Sequence, residues 1–191
     1  MCSKQISTTR PNAKYCCTER VDFIKKNEHR ETCIYTPCSC PHSECSFVSS
    51  CKELTLHFRS KHKDSAVSFR CRNPFTVTLN VEDKQVVLQE QNEGDLFVLN
   101  NFTAGNVENL VNVDRIGPNS SNSEVLCVIK FCPSQEFTGT NSGTLVSSLH
   151  NSSHGHHLHQ SPAMGSYLLV PTAILGSYPL IKLEIHIFMG K

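Results

Sequence analysis

Four residues of this chain, Cys40, Cys45, His57 and His62, fall in the order Cys-x4-Cys-x11-His-x4-His, two thiol donors followed by two imidazoles. That ligand order and spacing is the one a tetrahedral zinc site uses. Two thiolates on a tight knuckle and two imidazoles about one helical turn apart can meet a common ion at about 2.0 to 2.3 Å without straining the backbone. Cys38 offers a competing thiolate, but its interval to Cys45 is longer than the usual knuckle of about two to four residues, so Cys40 is the expected ligand. Upstream, Cys17-x11-His29-x3-Cys33 repeats the x11 interval and supplies three donors. A matching fourth would fall at residue 10, which is Arg10, a permanent cation that cannot ligate a metal. Cys16 and Cys2 are the candidates to replace it.

The elements that must carry these donors can be read around the second motif. Ser46 to Ser49 follows the knuckle as a short strand. Lys52 to His62 reads as a helix with Leu54, His57, Phe58 and Lys61 on one face. Leu54 with Phe47 across from it makes a miniature apolar cluster of the kind a zinc-nucleated ββα unit needs, since so small a unit cannot fold on packing alone. Cys51 and Cys71 fit no ligand spacing and read as structural thiols.

Composition sets the frame. Nine of the eleven cysteines lie in the first 71 residues. The net charge of +1 hides an asymmetry: residues 1–72 carry 13 Lys/Arg against 7 Asp/Glu, and residues 73–191 carry 5 against 10. Two regions of different character are expected. No apolar run approaches the about 20 residues of a membrane span, and the N-terminus lacks the apolar stretch of a secretory signal. The expectation is an intracellular chain, cytoplasmic or nuclear, with no membrane partner. Reduced thiols there favour metal over disulfides. The sequons at Asn101, Asn119 and Asn151 are then expected to mark only exposed polar loops.

The run from Arg10 to Lys63, CCTERVDFIKKNEHRETCIYTPCSCPHSECSFVSSCKELTLHFRSKHKDS in particular, resembles the double zinc finger of the seven in absentia (SINA/SIAH-type) ubiquitin ligases, most closely the plant members. DKQVVLQEQNEGDLFVLNN and GSYLLVPTAILGS are similar to segments of the TRAF-like β-sandwich that follows the finger in that family. The resemblance implies Cys17, His29 and Cys33 at a first zinc, and Cys40, Cys45, His57 and His62 at a second. It implies, too, a sandwich that binds substrates and dimerises. The family places a RING ahead of the finger, and a RING needs ligands for two zinc ions. Only Cys2 precedes Arg10 here, so the chain reads either as a truncated or spliced product or as a member that has lost its platform for the conjugating enzyme. The organisation expected is a disordered residue 1–9 segment, a zinc-finger module at 10–72 and a sandwich at 73–191.

In the rear region the period changes to two. Phe75, Val77, Leu79 and Val81 share one strand face, as do Val125, Cys127, Ile129 and Phe131, and Ile181, Leu183, Ile185 and Ile187. Further strands are expected at 85–89, 96–100, 110–114 and 167–170, with turns at 92–94 and 117–119. Many short strands with Gly/Pro/Asn punctuation point to an antiparallel sandwich, the fold the resemblance implies. Residues 134–166, with His154, His156, His157 and His159, read as a long polar loop with room for one strand. Cys127 reads as a small core residue and Cys132 as a strand end. No His is placed to activate either thiol, and no phosphate-loop glycine pattern occurs.

Three functions are in play. The first is a SINA-like protein that binds substrates destined for degradation and dimerises with SINA-family ligases, supporting or competing with them, and inactive alone as an enzyme. The second is a fragment of a full ubiquitin ligase whose RING lies upstream. The third is nucleic-acid binding through Lys52, Arg59, Lys61, Lys63, Arg70 and Arg72, disfavoured because one complete finger stands beside an acidic domain. The finger and the sandwich are expected to have separate cores, so that His57→Ala would unfold one and spare the other.

Overall fold

The computed structural model of the chain describes residues 8–104, 108–117, 124–132, 143–149, 151–152, 166–172, 175 and 180–190. Cys2, Asn119, most of the 134–166 stretch with its four histidines, and the turn from Gly176 to Pro179 lie outside the described residues. The front region is built of very short pieces. Strands β1 (Thr8–Thr9) and β2 (Val21–Asp22) pair antiparallel, 3-10 turns occupy Ala13–Tyr15 and Phe23–Lys25, and α1 spans Lys26–Thr32. Strands β3 (Cys38–Ser39) and β4 (Val48–Ser49) form a second antiparallel pair, followed by α2 (Cys51–Lys61) and a 3-10 turn at Lys63–Ser65. Ser50 caps α2, its hydroxyl accepting from the Glu53 N–H, which satisfies one of the amides a helix start leaves unpaired.

Behind this lie β5 (Ala66–Phe69), β6 (Phe75–Asn80), β7 (Gln85–Glu90), β8 (Leu96–Ala104), β9 (Glu108–Ile116), β10 (Val125–Phe131), β11 (Thr144–Ser148), β12 (Asn151–Ser152), β13 (Leu168–Pro171) and β14 (Leu180–Met189). They make two sheets. One runs β11-β10-β14-β6; the other runs β12-β9-β8-β7-β5, with β13 also on β9. The pairings are antiparallel except β5 on β7 and β12 on β9. The alternating positions foreseen in the sequence close the space between the sheets: Val77, Leu79, Cys127, Ile129, Ile181, Leu183, Ile185 and Ile187 meet Leu88, Phe97, Leu99, Val111 and Val113. β5, ahead of the expected border at residue 72, pairs with β7 from Ala66 onward, so sheet structure starts one turn after α2.

The separate cores expected for finger and sandwich are not what the chain builds. Leu54 and Phe58 of α2, 1% and 0% exposed, pack on Val87, Leu96, Val98 and Ile116, the outward positions of β7, β8 and β9. Because side chains alternate along a strand, β8 sends Phe97 and Leu99 to the inner core and Leu96 and Val98 to α2. A sheet with both faces covered reads as a continuous apolar run, which is what Leu96 to Leu99 is. Gln85 adds a polar tie, its Nε2 donating to the Pro41 carbonyl in the knuckle at 2.7 Å. Gly94 lets the helix approach: its φ is +82°, and a Cβ there would stand 2.7 Å from Thr55 Cγ2 of α2.

The Asn101 sequon is also placed differently from the exposed loop expected. Asn101 lies within β8, 5% exposed. Its Nδ2 donates to the Val81 and Asp83 carbonyls at 3.0 and 2.8 Å, and its Oδ1 accepts from Asn109 Nδ2 at 2.8 Å. A buried amide must be paired, and this one fastens the β6–β7 turn. Asn151 starts β12, a short strand where a loop was expected.

Candidate metal centres

Cys40 and Cys45 sit on the connection between β3 and β4. The Cys40 N–H donates to the Phe47 carbonyl at 2.9 Å and the Cys45 N–H to the His42 carbonyl at 3.0 Å, turning both thiols the same way. His57 comes from the middle of α2 and His62 from the residue that ends it. Their four donor atoms lie within 4.8 Å of one another, with Cys45 Sγ 3.2 Å from His57 Nε2. Phe47 stacks on the His57 ring at 4.0 Å and His42 on the His62 ring at 4.2 Å, which fixes both imidazoles from behind. Cys38 is not in the group. It is fully buried, and hydrogen bonding to Cys51 together with burial pushes its thiol up.

The donors fit zinc. At Zn–S of about 2.3 Å and Zn–N of about 2.0 Å, a tetrahedron places sulfur and nitrogen about 3.5 Å apart and two sulfurs about 3.8 Å apart. Burial lowers both His57 and His62, so each ring stays neutral and keeps a lone pair for a metal. Desolvation pushes the Cys40 thiol up to about 11, a position in which a cation is the natural partner of the thiolate. Most telling, His62 Nε2 is buried without a hydrogen-bond partner. A buried nitrogen left so needs an explanation, and an ion shared with Cys40, Cys45 and His57 gives one. Zinc bound there would supply a cross-link between the knuckle and α2.

The upstream donors also converge. Cys17 Sγ lies 3.4 Å from His29 Nε2 and 3.6 Å from Cys33 Sγ, close to the same tetrahedral edges. All three are buried. Cys17 leaves the first 3-10 turn with its N–H on the Asn12 carbonyl, His29 is on α1, and the Cys33 N–H closes α1 on the His29 carbonyl at 2.8 Å. Glu19 Oε2 stands 3.6 Å from His29 Nδ1, on the side that orients the ring and leaves Nε2 for a metal. Among the described residues the group has three members, one fewer than a closed zinc site takes. Arg10 is exposed, and Cys16 is exposed with a left-handed φ of 72°; neither joins it.

Among the other described thiols, hydrogen bonding to Cys38 lowers Cys51. Burial pushes Cys127, in the inner core, up to about 12 and Cys71 up to about 11. Two of the cations that could have read nucleic acid are tied to the sandwich: Arg59 donates to the Gln91 carbonyl at 3.0 Å and Arg70 Nε to Gln91 Oε1 at 2.8 Å. No helix among the described residues is long and apolar enough to cross a membrane. Sequence reasoning missed the sheet-facing role of Leu54 and Phe58, because helical spacing gives a face but not its partner.

No family model matches the chain. Among the curated proteins it is similar to are several from Arabidopsis thaliana. E3 ubiquitin-protein ligase SINA-like 10 is 38% identical over 93 residues, 49% of this chain and 27% of that protein. SINA-like 4 is 35% identical over 97 residues, 48% and 30% of the respective chains. SINA-like 3 is 34% identical over 94 residues, 47% and 31%. The chain thus matches about a third or less of the length of these relatives. Two Cys/His clusters that could hold zinc stand ahead of a β-sandwich, and over about half of its length the chain is similar to SINA-like E3 ubiquitin-protein ligases of Arabidopsis thaliana.

Proposed function

We propose that this chain acts in the ubiquitin pathway, in the cytoplasm or nucleus, as a zinc-stabilised protein-binding module that holds substrates and dimerises with ligases of its own family. The observation that carries the reading is the pair of Cys/His clusters leading into a two-sheet sandwich, in a chain similar to proteins named E3 ubiquitin-protein ligase SINA-like 10 and SINA-like 4. The work such a module does is positional. It raises the local concentration of a target beside the charged conjugating enzyme, and needs no nucleophile of its own. Cys71 and Cys127, whose thiols burial pushes up, suit that role.

A substrate segment would bind as an added strand, main-chain hydrogen bonds giving affinity and side-chain pockets giving specificity. β6 and β11 end the four-stranded sheet, and β11 leaves Val146 60% exposed. The two described clusters would both be spent on structure, so the 191-residue chain alone is expected to build no polyubiquitin with activating enzyme, conjugating enzyme and ubiquitin. Added to a RING-bearing SINA-like ligase, it is expected to co-purify with that ligase and change its ubiquitination rate. Chain formation by this protein alone would favour the intact-ligase reading; no association and no rate change would remove the adaptor reading.

A further inference from the structure

Between the C-terminal end of α2 and the β5 edge of the sheet lies a cavity of about 340 Å³. Ser68 and Gln89 form its floor as register partners on the parallel β5–β7 pair, both on the sheet face that carries Val87 toward α2. Arg59 and Lys63 form its wall, one from the last turn of α2 and one from the 3-10 turn after it. Gln89 is 7% exposed, yet its Nε2 has no hydrogen-bond partner. A donor buried without an acceptor costs stability unless something fills the place. The one acid in the lining, Glu90, is occupied: its carboxylate accepts from the Asn92 N–H at 2.7 Å, Asn92 Nδ2 at 3.0 Å and the Glu93 N–H at 2.6 Å. The cavity is therefore lined by the ammonium of Lys63, the guanidinium of Arg59 with one nitrogen already on the Gln91 carbonyl, the Ser68 hydroxyl and the Gln89 side chain, whose unpaired Nε2 lies buried beneath the surface.

We infer that this cavity binds a phosphate group, either a phosphate monoester carried on a protein side chain or free phosphate. A group with several acceptor oxygens and two negative charges answers two cations and a hydroxyl: Arg59 has donors left beside the one on the Gln91 carbonyl, Lys63 acts as a point charge, and a small turn of the Gln89 carboxamide would bring its unpaired donor to the group. A cationic or purely apolar ligand would leave Gln89 Nε2 unpaired. The site does not rest on the ubiquitin-pathway reading, but its wall rides on the helix end that carries His57 and His62, which is why the zinc-loaded chain is used to test it.

The test is a titration of the zinc-loaded full chain, followed in amide ¹H–¹⁵N spectra, with inorganic phosphate and with a capped Gly-phosphoserine-Gly tripeptide. Saturable shifts are expected at the Gln89 side-chain NH₂ and the Ser68 and Gln91 amides, with binding weakened about tenfold in Lys63→Gln and in Gln89→Leu. Lys63 is exposed, so that variant should keep the parent spectrum; if Gln89→Leu fails to fold, Arg59→Gln takes its place. Tighter binding of the tripeptide assigns the group to a modified protein, and tighter binding of phosphate assigns it to the free ion. No saturable shift at these positions, or shifts unchanged in Lys63→Gln, overturns the inference.

Discussion

The two Cys/His clusters are alike in donors and unlike in support. Around Cys17, His29 and Cys33, no residue from 8 to 37 belongs to either apolar cluster of the described residues, and Phe23, Ile24 and Ile34 are 67%, 94% and 61% exposed. Around Cys40, Cys45, His57 and His62, the helix that carries both imidazoles is seated by Leu54 and Phe58 on the sandwich. The first is held by its donors and a few backbone hydrogen bonds; the second is half a metal site and half a layer of a larger domain. A unit of a few short elements cannot bury enough apolar surface to fold unaided. Metal, once bound, would carry most of the first structure and only supplement the second.

Stripping zinc with a chelator should separate them most sharply. Structural zinc contributes on the order of 10 kcal/mol in finger peptides. Hydrogen exchange after chelation is expected to lose all protection over residues 17–33 while α2 keeps part of its protection through Leu54 and Phe58. Equal loss in both segments would show that the sheet gives α2 nothing. Phe58→Ala attacks the other side of the contrast and should cost about 3 to 5 kcal/mol, as large-to-small changes in a closed core do. In chemical denaturation the finger and sandwich signals are expected to move together, and zinc content at neutral pH to stay unchanged before unfolding. Two separated transitions in that variant would restore the idea of independent cores.

Gly94→Ala probes the seat itself. A side chain at φ +82° facing Thr55 Cγ2 at 2.7 Å should destabilise by about 1 to 3 kcal/mol, with part recovered in a Thr55→Ser background. Identical losses with and without Thr55→Ser would mean that backbone strain alone is responsible. The smallest effect belongs to Ile24→Ala, at a side chain 94% exposed, where thermal unfolding should report a change within about 0.5 kcal/mol. A loss as large as that of Phe58→Ala would reveal a packing partner for the front cluster and end the contrast.

Local pattern carried the reading a long way. The knuckle spacing, the helix bearing Leu54, His57 and Phe58, and the period-two strands around Val77, Ile129 and Leu183 are each decided by residues near in sequence, and each appears in the structure. What was not legible was decided by residues far apart. Helical spacing identifies Leu54 and Phe58 as buried, but only the folded sheet shows that Val98 and Ile116 bury them. Ala66 to Phe69 follows a charged stretch and looks like the tail of the finger, yet parallel pairing with β7 makes it a sheet edge. The lining of the phosphate cavity depends on the register of Ser68 against Gln89, which no single segment encodes.

Asn101 carries a last consequence. Its Nδ2, the nitrogen an oligosaccharide transferase would glycosylate, is the one that grips the carbonyls of Val81 and Asp83. Attachment of a glycan would tear out that clasp and drive a bulky, water-loving branch into the protein interior. Glycosylation at this asparagine and closure of the sandwich therefore exclude each other, and whichever comes first in the life of the chain forbids the second.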